Sequence, residues 1–508
     1  METERLKNSR LNISSNVAVY FIQTILSFLV RTFFIKIFGE KLLGLDSLLV
    51  NLLAMLSVAE LGVSTAISYG LYKPLADRNV NKISAYMSFY KRVYSIIGKI
   101  VIFCGIIVAF CLSWIVKDYN YQYLYLVYFI YLFDTASMYF ISYKEILLIA
   151  DQKNYKVFKY HFFFKILLYL LQLLVLFIYP NYVVYLLVMV FSKLCDKILV
   201  NRYIGKFYSY VDFCSNEKLS KNDISSIKKN VFGLFCFKVG DYIINCTDNI
   251  IISSFINLVM VGIYTNYLSI TTIVRTIIKN FFNGITASLG NLSVECNKKA
   301  EREVFHVMVF VGFFIGAYVT ICFLHLINPF IQIWLGKRYV LPYWSMIIIC
   351  FNFYLMCNQM PLDTAKEAYG FYNKDKYVPI IQAIINIVVS VVLANYIGFN
   401  GVILGTTISC LVTVFWIKPY MLYRYIFKDS LFRYYLNNVQ YILVIAFIYT
   451  INYYLLNFLN FPVNLLYLII SGVIVSIIYF VVVSILYYRT YEYQYLFQAC
   501  KNILFKKK

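Results

Sequence analysis

Between Arg433 and Arg489 no residue carries a charge, and residues 438–487 read NVQYILVIAFIYTINYYLLNFLNFPVNLLYLIISGVIVSIIYFVVVSILY. A bilayer core takes about 20 residues of helix, so the stretch reads as two membrane spans, 438–459 and 462–487. Working outward, apolar runs between charged breaks place further spans near 12–36, 42–69, 94–116, 121–148, 157–179 and 182–204. A hydrophilic stretch over 206–229 separates these from a second set near 230–255, 258–288, 304–334, 340–364, 377–397 and 400–425. The expectation is an all-α, polytopic membrane protein of about fourteen transmembrane helices. It would comprise an N-terminal six-helix bundle (1–205), a cytoplasmic linker (206–229) and a C-terminal six-helix bundle (230–430). Two additional helices and a basic cytoplasmic tail (431–508) would complete it.

Composition points the same way. The 508 residues are 61% hydrophobic and 14% charged, whereas soluble chains are roughly half apolar and a quarter charged. Lipid must cover that excess, because a soluble surface needs polar groups. The aromatic share of 19% suits the two membrane interfaces. A net charge of +22 invites a nucleic-acid reading, but the cations fall in short breaks between spans, where anionic membrane lipids are the expected partners and nucleic acid is not.

Those breaks orient the chain. Lys73, Arg78, Lys82, Lys91 and Arg92 lie on one side, joined there by Lys144, Lys153, Lys156, Lys206, Lys218, Lys221, Lys228 and Lys229. Lys298, Lys299, Arg302, Lys374, Lys376, Arg424, Lys428, Arg433 and the tail Lys501, Lys506, Lys507 and Lys508 continue the pattern. The other side carries mainly Lys117, Lys337 and Arg338. The bias implies an even number of spans with both termini in the cytoplasm. At the start, Arg5, Lys7 and Arg10 precede an apolar run from Leu11 that contains Arg31 and no small-residue cleavage site. That run reads as a retained first span, not a signal peptide. The extracytoplasmic connections are short, which leaves no room for an outward catalytic domain, and no enzyme is expected.

No cofactor or metal is expected either. The twelve cysteines form no CxxC pair, and Cys104, Cys111, Cys236, Cys246, Cys322, Cys350, Cys357 and Cys410 lie in apolar runs as small hydrophobes. His161, His306 and His325 are scattered, and no G-x-x-x-x-G-K-[ST] phosphate loop occurs. Lys144-Glu145 followed by Tyr155 recurs as Lys366-Glu367 followed by Tyr377, and Phe38 and Gly44 have counterparts in Phe255 and Gly262. Both shifts equal six spans, as parallel repeats about an axis along the membrane normal would give. Coincidence among common residues is the competing explanation.

Several segments carry a resemblance. Arg31-Thr32-Phe33-Phe34-Ile35-Lys36-Ile37-Phe38-Gly39 leads to Gly44, then to Glu60-Leu61-Gly62 and Leu71-Tyr72-Lys73-Pro74-Leu75-Ala76. Tyr143-Lys144, Ala150-Asp151-Gln152-Lys153-Asn154-Tyr155, Val239-Gly240-Asp241 with Asp248, and Gly262-Ile263-Tyr264 with Tyr267 follow. Together they resemble the polysaccharide-transport proteins, the oligosaccharide repeat-unit flippases of the multidrug/oligosaccharidyl-lipid/polysaccharide (MOP) exporter superfamily. The resemblance spans most of residues 10–430 and is diffuse. It implies two six-helix bundles in a V, two further helices, and export of an undecaprenyl-pyrophosphate-linked oligosaccharide across a bacterial cell membrane. Polysaccharide polymerase and glycosyltransferases would be its partners.

A charge within a span costs about 2.5–3.5 kcal/mol on insertion scales and normally faces protein or water. Arg31, Glu60, Lys99, Asp134, Asp196, Lys238, Asp241, Asp248, Arg275 and Lys279 qualify. Under the resemblance, Arg31, Lys238, Arg275 and Lys279 are the candidate cations for the pyrophosphate headgroup, Arg offering a planar fork of donors. Glu60, Asp134, Asp241 and Asp248 are candidate ion-coupling or structural carboxylates. Alternatives stay open: Arg31, Lys99 and Lys279 can snorkel to an interface, and Lys238 can pair with Asp241 on one helix face. Two rival functions also remain, a cation-coupled multidrug antiporter and a membrane polymerase or glycosyltransferase.

Overall fold

The computed structural model describes residues 2–60, 62–116, 121–215, 217, 219–294, 298–369, 377–459 and 461–505, with side chains from residue 22 onward except chiefly parts of 226–245 and 287–298. Among the described residues every regular element is helical. The chain forms two compact units, Met1–Gly262 and Ile263–Lys508.

The first unit holds α1 (Glu2–Leu56), α2 (Val63–Ala76), α3 (Val80–Ile115), α4 (Tyr121–Ile141), α5 (Glu145–Ala150), α6 (Phe158–Ile178), α7 (Tyr182–Phe207) and α8 (Lys221–Phe255). It ends in the first residues of α9 (Leu258–Val294). The second unit continues with α10 (Lys298–Leu335), α11 (Tyr343–Ala368), α12 (Val378–Ile397), α13 (Phe399–Val412) and α14 (Val414–Leu422). It closes with α15 (Leu431–Leu459), α16 (Leu465–Tyr487) and α17 (Tyr491–Phe505).

Eleven helical segments among the described residues are long and apolar enough to cross a membrane. The difference from fourteen has three sources. The first two expected spans merge in α1, bent at Gly39, whose φ of 78° suits a residue without a Cβ. Helix α7 carries Lys193, Asp196 and Lys197 and fails the charge criterion. Helix α8 has many side chains outside the described set. The second expected span does not end as one helix: it passes through a 3-10 turn at Ser57–Glu60 and restarts as α2 after Gly62. Span four is likewise broken by a 3-10 turn at Ser142–Lys144, between α4 and α5.

In the first unit α3 packs on α4, α6 on α7, and α4 and α6 on α1 and α7. Helix α8, expected to open the second bundle, packs on α1, α2 and α3. The expected linker is also shorter. Helix α8 starts at Lys221, where the Ser220 hydroxyl accepts the Asp223 N–H at 3.1 Å. Among the described residues of that stretch, those outside the helices lie between Tyr208 and Ser220. Tyr208 there donates to Asp151 at 2.6 Å. Burial, and then the Asp151 carboxylate, pushes its hydroxyl above the usual range, so it stays a donor.

The start of α9 approaches α1 closely. A Cβ on Gly44 would lie 2.0 Å from the Leu258 carbonyl oxygen, and one on Gly262 would lie 2.2 Å from that of Glu40. The two contacts are reciprocal, each glycine against the residue four positions before the other.

In the second unit α10 is the hub, packing on α11, α15, α16 and α17. Its core joins Phe313, Ile321, Tyr354, Tyr441, Val475 and Tyr479. Phe313 stacks on Tyr441 with centroids 3.7 Å apart. The Tyr479 hydroxyl, fully buried, donates to the Phe314 carbonyl at 2.6 Å. Helix α17 replaces part of the expected tail; its Tyr493 hydroxyl meets Ser484 at 2.7 Å.

Candidate substrate-handling site in the first bundle

Gly39 kinks α1, and Asp46 beyond the kink interacts electrostatically with Arg31 before it. Asp46 accepts hydrogen bonds from Tyr131 of α4 and from Tyr182 of α7, the latter at 3.1 Å. Arg31 lies in the field of Asp46 and Tyr185. Phe34 packs its ring against Tyr182 and Tyr185 at 5.8 and 5.2 Å.

Three residues along α4 from Tyr131, the buried Asp134 takes the Lys193 ammonium at 2.6 Å. Helical spacing then carries the pattern along α7, since residues three and four apart share a face. Asp196 meets His161 Nδ1 at 2.8 Å, and Lys197 meets both Glu145 oxygens at 2.7 and 3.0 Å. Lys165 of α6 lies in the field of Lys193, Asp196, Lys197 and Asp134. The result is a ladder of alternating charges whose members come from α1, α4, α5, α6 and α7.

Beside its last rung lies a cavity of about 470 Å³. The 3-10 turns at Ser57–Glu60 and Ser142–Lys144 line it, through Ser57 and Glu60 of the first and Ser142 of the second. Glu60 accepts from Ser64 at 2.9 Å and from Tyr94, while Tyr90 donates to Ser64 at 3.2 Å. Glu145 and Lys197 close the circuit.

Four of the ten sequence candidates, Arg31, Glu60, Asp134 and Asp196, therefore fall in this polar system. Lys99 sits instead on an exposed face of α3 among Ile96, Ile100 and Phe103. Asp248 is buried in α8, and the side chains of Lys238 and Asp241 lie outside the described residues. In the second unit, Arg275 Nη1 contacts Met356 Sδ at 3.1 Å. Lys279, exposed one turn further along α9, lies in the field of Glu367. Asp46, Lys193 and Lys197 were missed, and Glu145 was read only as half of the repeated Lys144-Glu145 pair. Asp46, Lys193 and Lys197 meet the same criterion as the others, a charge inside an expected span, and their spacing on α7 was the usable signal.

No family's sequence profile matches the chain, and no curated protein does. Among solved structures, the lipid II flippase MurJ in an inward closed conformation aligns with a TM-score of 0.65 at 16% identity, covering 94% of this chain and 99% of that one. An inward-facing MATE multidrug resistance transporter of the MOP superfamily aligns with a TM-score of 0.63 at 12% identity, covering 79% of this chain and 96% of that one. A mutant form of the Vibrio cholerae MATE transporter VcmN gives 0.54 at 10% identity, covering 81% and 95%. At these identities the likeness is one of fold, and this multi-pass membrane protein has the fold of the MOP-superfamily transporters.

Proposed function

We propose that the protein is a flippase carrying an undecaprenyl-pyrophosphate-linked oligosaccharide from the cytoplasmic to the outer leaflet of a bacterial cell membrane, for surface polysaccharide synthesis. The carrying observation is the ladder of both signs inside one bundle, with Arg31, Lys193 and Lys197 each held beside a carboxylate. An anionic headgroup needs such cations kept within the membrane, and a carboxylate partner keeps each one tolerable there until substrate arrives. A second support is length. Coverage of this chain rises from 79% with the MATE transporter to 94% with the lipid II flippase, a difference about the size of residues 431–508. On the same reading, the basic breaks between spans favour both termini in the cytoplasm.

On this reading Arg31, Arg275, Lys238 and Lys279 attract the pyrophosphate, and alternating access moves it. Glycosyltransferases supply the substrate and a polymerase consumes it. The rival reading, a cation-coupled multidrug antiporter, draws on the MATE-like fold and on Glu60 in its cavity.

Substitution separates the two. Arg31→Ala and Arg275→Ala abolish complementation of a flippase-deficient strain at unchanged protein abundance, while Arg31→Lys, lacking the planar fork, restores part of it. Full complementation by both alanine variants, or drug resistance with no effect on surface polysaccharide, refutes the flippase reading.

A further inference from the structure

We propose that the cavity beside Glu60 is a saccharide subsite, holding a sugar portion of the transported molecule inside the first bundle. The inference rests on the flippase reading and adds to it a place where the glycan, as distinct from the headgroup, is bound.

Size comes first. At about 470 Å³ the space lies within the roughly 300–1,000 Å³ typical of pockets for small organic ligands. A lone cation or a single water needs a small fraction of that. Lys197 on the wall also opposes a cation site.

The chemistry of the wall fits hydroxyl groups. Each sugar hydroxyl both donates and accepts, and the lining offers both partners. A carboxylate has about four acceptor positions. Glu60 uses two, toward Ser64 and Tyr94, and Glu145 receives Lys197 on its two oxygens, so both retain acceptor capacity. Lys197 is a pure donor, while the Tyr90 and Tyr94 hydroxyls do both. The rings of Tyr90 and Tyr94, centroids 4.2 Å apart, supply apolar surface next to polar tips. That combination matches a pyranose, whose ring presents C–H faces and an equatorial belt of hydroxyls.

Backbone gives an independent indication. Irregular backbone at membrane depth is tolerated where it lines a cavity, and broken helices form the binding sites of many transporters. The 3-10 turns at Ser57–Glu60 and Ser142–Lys144 both line this cavity. Ile149, half exposed, marks its open edge.

Photocrosslinking in living cells tests the proposal. A benzophenone amino acid is placed at Ile149 or, as control, at Phe133, which is exposed on α4 and does not line the cavity. Illumination gives a glycan-bearing adduct, identified by mass, at Ile149, and lipid adducts without glycan at Phe133. Glu60→Gln, combined with the Ile149 probe, lowers the glycan adduct about tenfold, the loss of a charged acceptor. In parallel, depletion of the native protein is scored for accumulation of lipid-linked oligosaccharide. Accumulation without a glycan adduct at Ile149, or with equal glycan adducts at both positions, overturns the subsite and leaves the flippase reading intact. Absence of accumulation overturns both.

Discussion

Alanine at Gly44 or Gly262 has no room for its methyl group, because the atoms in the way are backbone carbonyls and cannot rotate aside. Small residues at a membrane helix crossing permit this approach, and dispersion across it holds the helices together. Each substitution is expected to cost about 1–3 kcal/mol, as overpacking does. The double variant should cost less than the sum, since one displacement relieves both clashes. Gly284→Ala, where a Cβ meets nothing within 4 Å, serves as control and should be neutral or slightly stabilising. Thermal unfolding in detergent measures all four proteins, and a Gly44→Ala transition matching the parent would refute the tight crossing. The intramembrane charge rule singled out Arg31, Glu60, Asp134 and Asp196 from the sequence. It could not name their partners, because Lys193 lies 59 residues from Asp134 and His161 lies 35 from Asp196. Separations of that kind are fixed by packing, and no local pattern encodes them.

Helices α15 and α16 were legible as soon as the uncharged run above Arg489 was read, yet their packing face was not, since both are apolar on every side. The structure supplies that face: Tyr441, Ile448, Val475, Tyr479 and Val483 turn toward α10. Tyr479→Phe removes one hydrogen bond to Phe314 and should cost about 0.5–1.5 kcal/mol. Tyr479→Ala empties a fully buried ring site and should cost about 3–5 kcal/mol. Equal melting of the two variants would place the residue outside the core. The helix breaks at Ser57–Glu60 and Ser142–Lys144 escaped the sequence reading, because the polar residues in each, Ser57 and Glu60 in one and Ser142 and Lys144 in the other, are too few to divide an apolar run. Helix α17 escaped for the opposite reason. Its aromatic residues alternate with polar ones over too short a run to register as a span.

For the molecule as a whole, the alternation of basic and bare loops supplies an orientation. A fluorescent reporter that matures only in the cytoplasm should glow when fused at either end, and alkaline phosphatase fused at the same ends should stay inactive. Phosphatase activity at one end alone would mean an odd number of crossings. The all-helical, many-span architecture was legible because lipid imposes a single requirement, an apolar run of fixed length. The division of the chain was less so. Hydrophilic residues 206–229 look like a boundary, whereas the compact units part at Gly262. Helix α8 follows that stretch yet packs on α1, α2 and α3, a choice of partners that hydropathy does not carry.

Asp46 has one more consequence, for the order of events during synthesis. Its tyrosine partners stand 85 and 136 residues downstream. When the half of α1 beyond Gly39 leaves the ribosome, Tyr131 and Tyr182 do not yet exist, and only Arg31 offers an opposite charge, without their hydrogen bonds. The nascent α1 should therefore linger at the insertion machinery until α4 and α7 emerge. Ribosome-bound chains truncated near residue 120 should crosslink to the translocon through a probe beside Asp46, and chains extended past residue 230 should not. Asp46→Leu should release the shorter chains early, and a crosslink unchanged by that substitution would show that the carboxylate is not what detains them.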